Sequence, residues 1–387
     1  MKQLYLAATG QNRGKTTAAL GLLDGFLRRG LNAGFMKPVG QRTVIDDGEP
    51  ADEDAVLMRT TFGLPEPYSV LSPVHIPRGF TKSYIAGEVV EDLGARIARA
   101  HASFANHDVL LIEGTGHAGV GAVIGLSNAA VAASLGAPAI IVSEGGVGRP
   151  IDELVLNASL FASHGVHVAG AIVNKVDVTA QPGIQRVLER GLAPYGIPLL
   201  GILPVRPLLS NPTLEMILAG LKGEALHTGP DLDRVIDGVA IGAMEPGHML
   251  ERVGPKTLVI VPGDREDVIL TLTTAHLMGT PRGATTAEIA RPTLQLDDGH
   301  AGAAIGLVLT GGYRPRKAVI ESIRRADLFA TLVPNDTYTV ASEVHDLLVK
   351  THAADVEKIE MIKELVATNL DIDRVLGVAT EARLAPP

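Results

Sequence analysis

A lysine followed by two threonines, set just behind a glycine with another glycine four residues earlier, is chemistry for gripping phosphate. The stretch Thr9-Gly10-Gln11-Asn12-Arg13-Gly14-Lys15-Thr16-Thr17 follows the apolar run Leu4–Ala8. Gly10 and Gly14 let the backbone curl so that its N–H groups face inward, and Ala18 to Leu27 continues as a helix whose positive end faces the same concavity. A triphosphate suits such a place. Lys15 would reach its β- and γ-oxygens as a point charge, and the Thr16 hydroxyl would sit on a Mg²⁺ that bridges them. The pattern GxxxxGK[ST] asks for glycine where this chain has Thr9, a departure at one position. The strand before and the helix after supply the context that such a loop requires. Thr9, Gly10, Asn12, Arg13, Gly14, Lys15, Thr16 and Thr17 are the expected phosphate-side residues.

Magnesium needs hard oxygen ligands, and one threonine is too few, so carboxylates on the same rim must complete its shell. Glu113 ends the apolar run Val109–Ile112 and precedes Gly114-Thr115-Gly116, which puts an acid at a strand end. Asp54 lies in the acidic start of an apolar helical pattern, Asp52-Glu53-Asp54-Ala55-Val56-Leu57, with Asp52 in reserve. Acids at a helix start are also favoured by the helix dipole alone. Lys37, in Met36-Lys37-Pro38-Val39, ends another strand, and Pro38 keeps it extended. With Lys15 it forms the expected catalytic pair, stabilising charge on a transferred phosphoryl group or holding an anionic substrate. Asn174 offers an amide for the edge of an adenine, and Pro204 from the next strand end joins it in the nucleotide-binding set.

These residues need a scaffold that brings strand ends to one rim. Short apolar runs at Gln3–Ala7, Ala33–Met36, Val109–Ile112, Ala139–Val142, Val168–Val173 and Leu199–Ile202 alternate with helical patterns. Such alternation predicts an α/β fold, a mostly parallel sheet with helices on both faces. Its functional loops belong at the carboxyl ends of the strands. The stretch 222–235 lacks any period and carries Gly and Pro, so it reads as a linker between a nucleotide-binding domain over 1–221 and a second, smaller α/β domain over 236–375. Residues 376–387 read as a tail. In the second domain, strands are expected at Thr257–Val261, Ile305–Leu309 and Ala330–Val333. Helices are expected near Glu266–Met278, Lys317–Arg324, Val340–Lys350 and Val356–Asn369, with loops and a short strand over Gly279–His300.

Composition excludes several classes. The 387 residues contain no cysteine, so neither disulfides nor thiolate-held metals are available. A net charge of −9 argues against a general nucleic-acid binder. The chain enters a strand almost at once and no apolar run reaches spanning length, so no membrane association and a cytoplasmic location are expected.

The order of these residues resembles the dethiobiotin synthetase family: a P-loop of the Thr-x-x-x-x-Gly-Lys-Thr kind, Lys-Pro-Val, an Asp-Ala helix start, a Glu-Gly strand end and an Asn for the base. Closer still, Ile112-Glu113-Gly114-Thr115-Gly116-His117-Ala118-Gly119-Val120-Gly121 resembles the N-terminal domain of the long bacterial phosphotransacetylases. Pro262-Gly263-Asp264-Arg265-Glu266-Asp267 and Leu309-Thr310-Gly311-Gly312 resemble the two signature stretches of the DRTGG domain that follows it in those enzymes. The phosphotransacetylase catalytic domain, which would come next, is expected to be absent from this chain. Gln11, Asn12 and Gln41 replace the family residues that handle a diamino-acid substrate, so the nucleotide and metal residues carry over and the substrate residues do not.

The resemblance implies ATP and Mg²⁺ as cofactors, a homodimer, and a regulatory or interaction role for the second domain. Two functions follow. The first is a Mg²⁺-dependent ATP-binding module, resembling the regulatory half of phosphotransacetylase and acting on a separate phosphotransacetylase-type partner enzyme. The second is an ATP-dependent ligase or synthetase acting on a small carboxylate or carbamate, which as a substrate or effector would lie near Lys37. The Asp264–Arg265 pair either grips an anion or braces its turn.

Overall fold

The computed structural model of the protein describes residues 1–279, 304–345, 347, 351–353 and 355–381. They fall into two compact units, one within 1–206 and 351–381 and the other within 207–347. The sheet of the first unit runs, from edge to edge, Leu199–Pro204, Val168–Val176, Ala139–Glu144, Lys2–Ala8, Val109–Glu113 and Ala33–Met36, all parallel. Each strand reads as a continuous apolar run because helices cover both faces. The chain winds from Lys2–Ala8 toward one edge, then crosses back to add Ala139–Glu144 on its other side. The strand order therefore reverses beside Lys2–Ala8, which opens a crevice at the carboxyl ends there.

All six strands expected in the first half are present. The sequence reading missed the hairpin of Thr43–Asp46 and Glu49–Asp52, and the short pair Val39–Gly40 and Val74–His75.

The second unit is a smaller α/β fold, with a five-stranded sheet in the order Glu224–His227, Phe329–Leu332, Gly306–Thr310, Thr257–Pro262, Gly238–Ile241. Only the first of these pairings is antiparallel. One face packs on Val268, Ile269, Leu272, Val319 and Ile323 from the helices Glu266–Gly279 and Lys317–Arg325. The other packs on Leu214, Ile217, Leu221, Val340 and Val344 from Leu214–Leu221 and Thr337–His345. The loops expected over 280–300 and the end of the helix expected over Val340–Lys350 lie outside the described residues.

The division read from sequence needs correction in two places. Residues 222–235 are not a bare linker, because Glu224–His227 forms an edge strand on Phe329–Leu332. The helix Leu214–Leu221, which the sequence reading placed in the first domain, belongs to the second unit, where its apolar stripe is buried. At the far end, helix Val356–Asn369 returns to the first unit and packs on the P-loop helix Lys15–Leu27. Close approach there depends on glycine: a Cβ on Gly21 would lie 2.3 Å from Val366 Cβ, and one on Gly25 would lie 3.0 Å from Ile372 Cδ1. Thr380–Glu381, read as tail, pairs antiparallel with Lys2 and Gln3. None of the described helices is long and apolar enough to cross a membrane.

Two outcomes test this architecture. Gly21→Val should lower stability by about 1–3 kcal/mol in urea unfolding, since the clash outweighs the better helix propensity of valine. A variant as stable as the parent would show that the return helix does not sit there. Below the sheet, buried Gln3 donates to the Leu135 carbonyl at 2.6 Å, so its Oε1 accepts from His101 Nε2 at 2.7 Å. Burial holds the His101 imidazole below its ordinary pKa. The unfolded chain takes up this proton near pH 6.5 while the folded chain resists it, so the stability due to His101 is lost as pH falls below about 6.5. His101→Gln should therefore lose less melting temperature than the parent between about pH 7.5 and 5.5, and equal losses would refute the assignment.

Candidate functional site

The P-loop leaves the carboxyl end of Lys2–Ala8 and runs straight into helix Lys15–Leu27. Gly14 sits in the left-handed region at φ 90°, and no side chain caps the helix and no acid lies in its first turn. The positive end is therefore left open to an anion. Gly14 is needed for a second reason: a Cβ there would lie 1.9 Å from Asn174 Nδ2. Lys15 is only 8% exposed, and burial, with Lys37 adding to it, lowers its pKa to about 8.

Sheet register sets the next pair. Met36 lies beside Ile112 in adjacent parallel strands, so Lys37 and Glu113, one residue further along each, come out side by side. Lys37 Nζ lies 2.9 Å from Glu113 Oε1 and 2.5 Å from Asp54 Oδ2. Thr16 Oγ1 lies 3.1 Å from Glu113 Oε1 and 3.2 Å from Asp54 Oδ1. The residues expected around magnesium thus converge, together with Lys37. Asp52, the reserve acid, is used otherwise: its Oδ1 accepts from the Asp54 N–H at 3.1 Å and its Oδ2 from the Arg42 N–H at 3.2 Å, capping helix Glu53–Phe62.

The electrostatics are unbalanced. Burial works against the Lys37 ammonium, but Asp54 and Glu113 outweigh it and hold its pKa well above the ordinary value. Glu113 is completely buried, and burial raises its pKa to about 7 against the pull of Lys37. One ammonium is serving two carboxylates. Glu113 Oε2 is moreover buried with no hydrogen-bond partner. An orphaned carboxylate oxygen beside a hydroxyl and a second acid is a donor set that fits a hard divalent cation. Among the described residues no group of three or more His, Cys, Asp or Glu is placed to hold a metal, so remaining ligands would have to come from phosphate and water.

The other expected residues divide. Thr9 is buried, with its Oγ1 3.4 Å from Ser143 Oγ, and Gly10 and Thr17 are half-buried on the loop and the first helical turn. Asn12 is exposed in the left-handed region at φ 58°. Arg13 forms an ion pair with Glu144, and its Nε is buried with no hydrogen-bond partner. Asn174 is buried and donates one amide hydrogen to the Arg13 carbonyl at 3.1 Å, so its amide braces the loop. Pro204 pairs with Val176 on the same rim. Sequence reasoning missed Lys175, which donates to the Asn12 carbonyl at 3.1 Å and to Glu144 at 2.9 Å. Glu144 ends a strand as Glu113 does, and that was the available signal. In the second unit Arg265 donates to both Asp267 oxygens, at 2.9 and 3.0 Å, and to the carbonyls of Ala243 and Met244. It braces its turn.

Comparison with known proteins agrees with this division of the chain. An AAA domain model matches residues 2–213 and a DRTGG domain model matches residues 216–347. Phosphate acetyltransferase of Pseudomonas putida KT2440 is 28% identical over 408 residues, covering 100% of this chain and 53% of that protein. The Deinococcus radiodurans R1 enzyme of the same name is 27% identical over 407 residues, again covering 100% and 53%. The chain spans about half the length of these curated relatives. Among solved structures, the septum site-determining protein MinD of Pyrococcus horikoshii OT3, complexed with Mg-ADP, is 16% identical over 54% of this chain and 83% of that one, with a TM-score of 0.35. With an AAA domain model matched over more than half of its length and a DRTGG domain behind it, the chain belongs to the AAA domain family.

Proposed function

We propose that the first unit binds a nucleoside triphosphate, ATP by its family resemblance, together with Mg²⁺, and that the chain acts as a nucleotide-responsive regulatory module. The observation that carries this is the convergence of Thr16, Asp54, Glu113 and Lys37 at the open end of the P-loop helix, with one Glu113 oxygen unpartnered. Lys15 and the loop N–H groups would hold the β- and γ-phosphates. Thr16, Asp54 and Glu113 would hold the cation, which when bound supplies positive charge to the phosphate oxygens. Lys37, relieved of its carboxylates, would then be available to an anion on the far side of the γ-phosphate. The match of the whole chain to half of the phosphate acetyltransferases supports a regulatory role, with a separate phosphotransacetylase-type enzyme as the partner and the DRTGG domain as the coupled element.

Lys37 also favours a second reading, an ATP-dependent ligase acting on a small carboxylate or carbamate. A buried lysine beside the metal set is placed to stabilise a transferred phosphoryl group. Gln11, Asn12 and Gln41 weigh against a diamino-acid substrate for it.

Calorimetry should detect ATP binding that requires Mg²⁺. Lys15→Ala should weaken it about tenfold to a hundredfold, the value of a lost charge-assisted contact of roughly 1.5–3 kcal/mol; unchanged affinity would reject the site. Phosphate release measured across a panel of small carboxylic acids, biotin precursors included, should stay slow throughout. Strong stimulation by one acid would replace the regulatory reading with the ligase.

A further inference from the structure

The loop that follows Glu113 is held far more tightly than its sequence, Gly114-Thr115-Gly116, suggests. Gly114 N–H donates to the Leu6 carbonyl at 2.9 Å. A Cβ on Gly114 would lie 2.5 Å from Asn128 Oδ1 and 2.8 Å from Tyr5 Cε1, so the backbone is pressed against both. Asn128 is the hub. Its Oδ1 accepts from the Tyr5 hydroxyl at 2.8 Å and from the Thr115 N–H at 3.0 Å. Its Nδ2 donates to the Thr115 carbonyl at 2.7 Å and to the His117 carbonyl at 2.6 Å. The Thr115 side chain then reaches the other way, its hydroxyl donating to the Val39 carbonyl at 2.5 Å.

Every polar atom of Thr115 is therefore engaged, and the engagement spans three segments of the site. Tyr5 stands on the strand that ends in the P-loop, Thr115 lies two residues past Glu113, and Val39 lies two residues past Lys37. Tyr5 and Asn128 are buried, so these bonds are not shared with bulk solvent and misplacement would leave polar groups unsatisfied. The hydroxyl bond across to Val39 adds something different, a fixed spacing between the loop behind the acid and the segment behind the lysine.

We propose that Thr115 is a positioning residue for the cation site. Resting on the reading given under Proposed function, it ties the Glu113 loop to the Lys37 segment, so that the two side chains separate by a set amount when a divalent cation enters. Thr115 touches neither cation nor nucleotide in this role. Its effect falls on how readily the metal is accepted, not on how the phosphates are gripped.

The test follows binding of a fluorescent ATP analogue to the full chain across a series of free Mg²⁺ concentrations. Thr115→Val should raise the Mg²⁺ midpoint about three- to tenfold, the value of one hydrogen bond of roughly 0.5–1.5 kcal/mol, with affinity at saturating Mg²⁺ unchanged within about twofold. Thr115→Ser keeps the hydroxyl and should restore the parental midpoint. Tyr5→Phe, which removes the hydroxyl that donates to Asn128 Oδ1 and so loosens the hub holding the Thr115 backbone, should shift the midpoint in the same direction and serves as the deciding variant if Thr115→Val does not fold. An unmoved midpoint, a serine variant as impaired as the valine one, or a fall in melting temperature without a midpoint shift would overturn the proposal. No binding by the parent at any Mg²⁺ level would instead reject the nucleotide reading, and this inference with it.

Discussion

Two carboxylates, Asp54 and Glu113, lean on a single ammonium, Lys37, in a place that water hardly reaches. At contact distance and an effective dielectric near 20, each such attraction is worth about 4 kcal/mol before desolvation, and desolvating each ion costs several kcal/mol. Even so, one Glu113 oxygen is left buried without a donor. Proteins seldom keep a buried polar atom in that condition without a use for it. The arrangement makes sense as the receiving half of an interaction whose other half carries positive charge. The P-loop is its complement, an uncapped helix end that lacks negative charge. Acids that call for a cation and N–H groups that call for an anion stand on one rim, and the proposed metal–triphosphate pair would answer both.

The sheet makes this arrangement possible. Parallel strands end together, so the residue after each strand shares an edge with the residue after its neighbour. Lys37 and Glu113 meet for that reason alone, through the Met36–Ile112 register. Leu6 beside Glu113 then fixes how far the P-loop stands from the acid, because the strand ends at Ala8, two residues on, and the loop begins at Thr9. Asp54 comes from outside the sheet, and its place depends on Asp52 capping the helix that carries it. One acid is set by register and the other by a cap.

Much of this was legible in the sequence because the signals are local. A glycine loop between an apolar run and a helical pattern, an acid at a strand end and a lysine before proline each declare themselves within a few residues. What stayed hidden depends on partners far away in the chain. The apolar spacing of Val356–Asn369 announces a buried face but not the surface that buries it. Gly21 and Gly25 look like mere weaknesses in a helix until Val366 and Ile372 are seen against them. Glu224–His227 has little of the alternation of a strand, since it pairs on one side only at the sheet edge. Asn174 read as a base ligand because its amide suits one; nothing local says that one of its amide hydrogens goes to the Arg13 carbonyl. Thr115 looked like spacer between glycines, and its importance rests on Asn128 and Val39.

The second unit offers no comparable surplus of charge among its described residues. Arg265 is satisfied by Asp267 and two carbonyls, Arg314 by Glu224, and Arg316 by Glu266. What sets the second unit apart is how the chain threads it. It is inserted rather than appended: the chain leaves the first unit after Arg206 and returns by Thr351 to lay Val356–Asn369 along the P-loop helix. Two covalent connections restrain an inserted unit more than one would, and the second ends on the helix whose first turn carries Lys15 and Thr16. There Gly21 and Gly25 leave just enough room for Val366 and Ile372, so the returning segment can lie close against the P-loop helix.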